Sequence, residues 1–358
     1  MNRRQFFASS GAAALASAPP AASAAAPPVL MKLGCQSSPT NERHVAYLAR
    51  YGVRNICGYP QIADGRLYAT VEELNRMLDT THKYSVSVDC IAPPFLASSH
   101  IDHEAHPAIM LAQSPERDRD IESLQTLIRN CAAVGIPSIK YNMSILGVLR
   151  LPTRTPGRGD AAYSTWRLSE AHPSSPLTRA GHVDADAAWE RITYFLDHVI
   201  PVANEYKIRM ACHPHDPGVP PEGYQGVVRV LGTVDGLKKF VSIRESPYHG
   251  LNFCQGTVSE MLADPGREIM DVVRYFGTRK KIFNVHFRNI RGHRNDFVEV
   301  YPDEGDVDFV KVIQVYREVG YPYLLMPDHV PQAPDDPQGL QSFAFCYGYI
   351  RGLLQSLG

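Results

Sequence analysis

Ala211-Cys212-His213-Pro214-His215-Asp216 closes a short apolar run that begins at Ile208, and the same pattern returns three times further along the chain. Asn252-Phe253-Cys254-Gln255-Gly256, Asn284-Val285-His286-Phe287-Arg288 and Met326-Pro327-Asp328-His329 each end an apolar run that reads as a strand, one strand–helix unit after the last. Strands that alternate with helices form parallel sheets, and a closed ring of eight such units gathers its functional groups at the C-terminal ends of the strands. His213, Cys254, His286 and Asp328 all fall at such ends, so a barrel would bring them to one point.

The rest of the chain supplies the missing units. Strand-like runs occupy Met31 to Gln36, Val53 to Cys57, Val86 to Ile91 and Ile136 to Tyr141, ahead of Ile208 to His213, Gly250 to Cys254, Ile282 to His286 and Tyr323 to Met326. Between them lie helical patterns. Glu42 to Tyr51 stops at Gly52, and Thr70-Val71-Glu72-Glu73 is a capping box opening a helix to about Tyr84. Ser114-Pro115-Glu116 starts an amphipathic helix that keeps Ile121, Leu124, Leu127, Ile128 and Cys131 on one face and ends at Gly135. Further helices are expected after Asp184, near Val234 to Phe240, from Asp306 to Val319 and from Ser342 to Leu354, with a second capping box at Thr257-Val258-Ser259-Glu260. The count predicts an α/β chain, a (β/α)8 TIM barrel. A doubly wound open sheet would carry a Gly-rich phosphate loop after an early strand, and none is present. Residues 142–184, rich in Pro, Gly, Arg and Ser, break the rhythm and read as a long loop over the active end.

Asn2-Arg3-Arg4-Gln5-Phe6-Phe7, an Ala-rich stretch to Ala18 and small residues around Ala22-Ser23-Ala24 read as a Tat-type export signal over residues 1–26, which leaves 27–358 as one catalytic domain and a periplasmic or exported location. The apolar stretch is shorter than the roughly 20 residues of a membrane span. The seven cysteines sit singly in apolar runs rather than in a clustered, even-numbered disulfide framework, and read as buried thiols except for Cys254. A formal net charge of −1 with no dense basic stretch argues against a nucleic-acid partner.

Two imidazoles, a thiolate and a carboxylate suit a divalent cation, with zinc, iron, cobalt and manganese all compatible. His329 follows Asp328 directly and reads either as a general acid or base swung over the site or as a rim histidine; His215 has the same two readings. Arg288 shares the face of His286 and is expected to clamp a substrate carboxylate, while Tyr141 and Asn142 are expected to offer hydroxyl and amide groups to a polyol.

On Tyr141-Asn142-Met143, His213-Pro214-His215-Asp216-Pro217, Gly250-Leu251-Asn252-Phe253-Cys254-Gln255-Gly256-Thr257, Val285-His286-Phe287-Arg288-Asn289, Glu304-Gly305-Asp306-Val307-Asp308 and Pro327-Asp328-His329, the chain resembles mannonate dehydratase, a family of the xylose-isomerase-like barrels. The resemblance implies one divalent ion, Mn2+ ahead of Fe2+, Co2+ or Zn2+, on His213, Cys254, His286 and Asp328. It implies His329 as acid/base, loss of water from a sugar acid to give a 2-keto-3-deoxy acid, and a homodimer. A metal-dependent isomerase or epimerase of a sugar or keto-sugar is the alternative on the same ligands. The chain departs from the family pattern at Met326, Val330 and His215, and at Ala344, where a tyrosine is expected and Tyr347 or Tyr349 is the available substitute.

Overall fold

A computed structural model describes residues 27–36, 38–63, 65–172 and 175–358; the export signal expected over residues 1–26 lies outside them. Eight parallel strands close into a barrel: β1 (Lys32–Gln36), β2 (Asn55–Gly58), β3 (Ser87–Ile91), β4 (Ser138–Asn142), β5 (Arg209–His213), β6 (His249–Cys254), β7 (Ile282–His286) and β8 (Leu324–Met326), each paired with its sequence neighbours and β8 with β1. Eight helices return the chain outside: α1 (Glu42–Arg50), α2 (Val71–His82), α3 (Glu116–Val134), α4 (Ala185–Tyr206), α5 (Val234–Ser242), α6 (Pro265–Thr278), α7 (Phe309–Glu318) and α8 (Leu340–Ser356). The expected (β/α)8 TIM barrel is the observed architecture.

Side chains alternate across each strand, and this sorts the barrel into two compartments. Ile139 and Tyr141 of β4, Met210 and Cys212 of β5 and Leu251 and Phe253 of β6 face the helices and are buried there. Lys140, Asn142, His213, Asn252, Cys254, Asn284 and His286 occupy the other, inward parity. Cross-strand register then sets their height: Asn142 lies beside His213, and His286 beside Cys254. The N-terminal end of the interior is closed by an ion pair, Lys32 to Asp89 at 2.8 Å, with the Asn55 amide donating to the same carboxylate at 2.9 Å.

Helix ends follow their sequence signals in several places. Thr70 caps α2 by accepting from the Glu73 amide at 3.2 Å, while the Glu73 carboxylate accepts from the Thr70 amide at 2.8 Å. Asp184 caps α4 through the Ala187 amide at 2.8 Å, and α3 ends on Gly135 at φ +79°. The expected capping box at Thr257 does not form. Cys254 itself caps a short helix, Gln255–Ser259, its sulfur accepting from the Thr257 amide at 3.4 Å, and α6 begins later. The long stretch 142–184 is not structureless either. Thr165–Arg167 joins a hairpin of Asn289–His293 and Asp296–Val300 in a three-stranded antiparallel sheet, and Trp166 packs there with Ile290 and Phe297. All seven cysteines are buried and none forms a disulfide.

Thr70→Ala removes one of two reciprocal caps. We expect a loss of about 1 kcal/mol and a thermal midpoint lower by about 2–4 °C in a calorimetric scan, with turnover unchanged.

Candidate metal centre

The C-terminal mouth of the barrel carries the four residues of the opening segments. One ligand atom from each of His213, Cys254, His286 and Asp328 lies within 4.8 Å of every other. His213 ends β5 with Nδ1 2.7 Å from the Pro214 carbonyl, which fixes the proton there and leaves Nε2 as a lone pair. Burial pulls its pKa down to about 4, so the imidazole stays neutral, as a ligand must. The two imidazole rings lie 5.1 Å apart. His286 Nε2 faces the Asn252 side-chain amide at 3.2 Å, and its buried Nδ1, 3.4 Å from Asp328 Oδ1, has no hydrogen-bond partner.

Cys254 Sγ is 3.7 Å from Asp328 Oδ2 and 3.6 Å from Arg288 Nη2. Burial opposes ionisation of this thiol, but the Arg288 charge outweighs it and holds the thiol below its ordinary range. Asp328 is likewise opposed by burial, yet His286 and His329 keep its carboxyl well below the usual carboxylate range. An orphaned imidazole nitrogen, a thiol held toward thiolate and a carboxylate, all converging, fit a divalent cation.

Around this group lies a buried charge network. Arg288 donates to Glu260 at 2.8 Å, to Asp216 at 3.0 Å and to Thr257 at 3.0 Å, pairs with Glu299, and its Nε is 3.4 Å from Asp328. Arg150 pairs with Asp216 at 2.6 Å, with Glu260 at 3.2 Å and with Glu299. Burial works against the charged form of Asp216 and Glu299, but the two guanidinium groups hold both carboxyls low. Burial and the neighbouring Asp216 push Glu260 well up. Asp216, Glu299 and His329 also converge within ligand distance, but the arginines already balance their carboxylates.

His329 Nδ1 is 2.8 Å from Glu299, and Nε2 is 3.9 Å from Asp328 with the side chain 37% exposed. Burial lowers its pKa, and Asp328 and Glu299 reverse this and raise it to about 10. The ring thus stands at the mouth, tied to Glu299 through Nδ1 and with Nε2 toward Asp328 of the cluster.

Four expectations need correction. His215 is buried with Nε2 donating to the Met143 carbonyl at 2.8 Å and Nδ1 accepting from the Leu231 amide at 3.3 Å. Both ring nitrogens thus tie loops together, and burial holds its pKa near 3. Arg288 is buried with both terminal nitrogens bonded inside the network, and its remaining Nε points at Asp328 from 3.4 Å, which leaves no exposed edge for a substrate carboxylate. Tyr141 has the outward parity of its strand: its ring packs on Phe195 at 5.3 Å, away from the mouth, and only Asn142 of that pair faces inward. Tyr347 does not substitute for a mouth tyrosine either, since its hydroxyl meets Cys35 at 2.8 Å in the helical layer. Sequence reading missed Arg150, Glu260, Glu299, Gln36 and Lys140. Only Lys140 and Gln36 carried a signal, as polar residues of inward parity in apolar strands.

With this geometry in hand, comparison with known proteins is informative. The family model for D-mannonate dehydratase (UxuA) matches residues 167–358, more than half of the chain. The chain belongs to the D-mannonate dehydratase family. Mannonate dehydratase of Thermotoga petrophila is 26% identical over 293 residues, 72% of this chain and 77% of that protein. Its counterpart in Endomicrobium trichonymphae is 28% identical over 294 residues, 73% of this chain and 76% of the relative. The solved mannonate dehydratase of Streptococcus suis serotype 2 superposes with a TM-score of 0.77 at 21% identity, covering 91% of this chain and 93% of that one. A D-tagatose 3-epimerase-like protein shares the fold at a TM-score of 0.55 and 14% identity over 92% of this chain and the whole of the other. Members of this dehydratase family are hydro-lyases, and the cluster at the mouth is the place in this chain where such chemistry can be housed. No helix among the described residues is long and apolar enough to cross a membrane.

The Tyr141 hydroxyl is buried beside the Cys212 thiol, away from the cluster at the mouth. Tyr141→Phe is therefore expected to leave turnover within about threefold and stability within about 1 kcal/mol of wild type, by steady-state kinetics and denaturant unfolding.

Proposed function

We propose that the protein removes water from an aldonic acid of the D-mannonate type to give a 2-keto-3-deoxy acid, using a divalent cation held by His213, Cys254, His286 and Asp328. The observation that carries this reading is the convergence of those four side chains beside His329 at the mouth of a barrel from the dehydratase family. Bound there, a divalent cation supplies a Lewis acid that makes the C2 proton beside the substrate carboxylate more acidic, and it offsets the charge of Asp328. Manganese is the metal we assign, since the carboxylate and open positions favour a hard ion.

The chain's own residues do the rest. Glu299 accepts the Nδ1 proton of His329 and so fixes which nitrogen faces the substrate. His329, kept protonated by Asp328 and Glu299, gives its Nε2 proton to the departing C3 hydroxyl, while a second group takes the C2 proton. Asn142, level with His213, is placed to bind a substrate hydroxyl. The network of Arg150 and Arg288 keeps Cys254 ionisable and Asp328 charged without itself touching substrate. The twin-arginine start supports export, and we place the mature enzyme in the periplasm, as a homodimer.

Incubation of the manganese-loaded protein with D-mannonate should yield a 2-keto-3-deoxy acid; a rearranged sugar with no loss of water would replace the dehydratase with an isomerase or epimerase. Cys254→Ala should lose most of its metal by elemental analysis together with activity. His329→Ala should keep its metal while kcat falls by about 10²–10⁴, and a fully active variant would remove His329 from the chemistry.

A further inference from the structure

The half of the mouth opposite the four-residue cluster is built by β1, β2 and β4, and it holds a cation that the mechanism above does not use. Lys140 sits one inward position below Asn142, beside Ala211. Its ammonium donates to the side-chain carbonyl of Gln36 and lies 5.8 Å from the centre of the Tyr59 ring. The Gln36 amide nitrogen in turn donates to Asp328 Oδ1 at 2.6 Å. A line of hydrogen bonds thus runs from the ammonium on β4 to the carboxylate in the cluster.

An ammonium in the interior of a barrel is costly unless an anion meets it. Burial acts to strip its proton, and Tyr59, Cys57 and Asp328 outweigh this and hold it charged. Yet no carboxylate among the described residues lies within ion-pair distance of it, and the acceptors beside it, the Gln36 amide and the Tyr59 hydroxyl, are uncharged groups. An ammonium has three donors, so these two leave it capacity for an anion. The neighbouring guanidinium groups differ. Arg150 and Arg288 are surrounded by Asp216, Glu260 and Glu299, and Arg229 is held by the carbonyls of Asp216 and Gly147. Lys140 is also partly open to the mouth, as are Gln36 and Tyr59.

We infer that Lys140, presented by Gln36, is the residue that binds the carboxylate of the sugar acid, the task sequence reading gave to Arg288. The inference rests on the aldonic-acid reading and adds its specificity determinant. Charge complementarity carries it: the site's unmatched positive group faces the space between the cluster and β4, and the group that separates an aldonic acid from a neutral sugar is one carboxylate. The same placement favours reaction as well as binding. As the C2 proton leaves, its electron pair moves toward the carboxylate oxygens, and an ammonium already held there meets the added charge without rearrangement.

The test compares manganese-loaded wild type with Lys140→Met, by calorimetric binding of D-mannonate and of the neutral alditol D-mannitol, with metal content measured on the same samples. Lys140→Met should keep its metal and its affinity for the alditol while affinity for the acid falls by about 10- to 100-fold, and Lys140→Arg should recover part of the loss. Lys140→Gln, closer in length to lysine, serves the same comparison should Lys140→Met not fold. Equal weakening of acid and alditol, or an unchanged affinity for the acid, overturns the inference. A wild type that dehydrates mannonate while the variant binds it undiminished leaves the dehydratase and removes Lys140. A wild type that forms no keto-deoxy acid, yet prefers acid over alditol only while Lys140 is present, keeps the carboxylate site and removes dehydration.

Discussion

Arg288 is buried with its guanidinium among Asp216, Glu260 and Glu299, and its reach to Cys254 and Asp328 makes it the charge on which the mouth of the barrel is organised. It comes from just beyond β7, yet it joins the loop after β5, the short helix after β6 and the hairpin that follows β7. The turn at Gly256 is shaped around it: a Cβ there would come within 2.6 Å of the Arg288 Nε. Breaking a buried charge pair from one side costs about 3–5 kcal/mol, because the remaining charges lose their partner in a medium that solvates them poorly. Two arginines face three carboxylates in this network. Burial and the neighbouring Asp216 push the pKa of Glu260 well up, which eases the excess of carboxylates over guanidinium groups.

This arrangement explains which parts of the site could be read in advance. The four converging residues were legible because each closes an apolar run, and polar ligand types at successive strand ends have one common destination in a closed barrel. The barrel was legible for the same reason, and strong local signals such as the Thr70 cap and Gly135 set helix ends. The network was not legible. Arg150 lies in a stretch without periodicity, and Glu299 lies in a hairpin that stands outside the strand–helix rhythm. Their meeting is fixed by tertiary pairing, Trp166 against Phe297 in particular, which has no trace in local pattern.

The errors are as physical as the successes. Tyr141 and Asn142 are adjacent in a strand, and a period of two forbids both from facing the mouth. The alternation that correctly placed His213 inward also places Tyr141 outward, beside Cys212. Arg288 does share the face of His286, as expected, but sharing a face does not leave a donor available. Its neighbours had to be known before its role could be. His215 shares the fate of many histidines in apolar surroundings: two backbone partners satisfy the ring and hold it neutral.

Glu299 does not belong to the barrel. It rides on the Asn289–Val300 hairpin, and that hairpin is steadied by Thr165–Arg167 from the long connection after β4. The imidazole of His329 is therefore indexed by an accessory sheet, whereas the ligand cluster is indexed by the strands themselves. The two can diverge independently. Sequence drift in the hairpin can reset the orientation and basicity of the histidine while every strand, and every donor to the cation, stays where it was, which offers a route by which one scaffold acquires new proton chemistry.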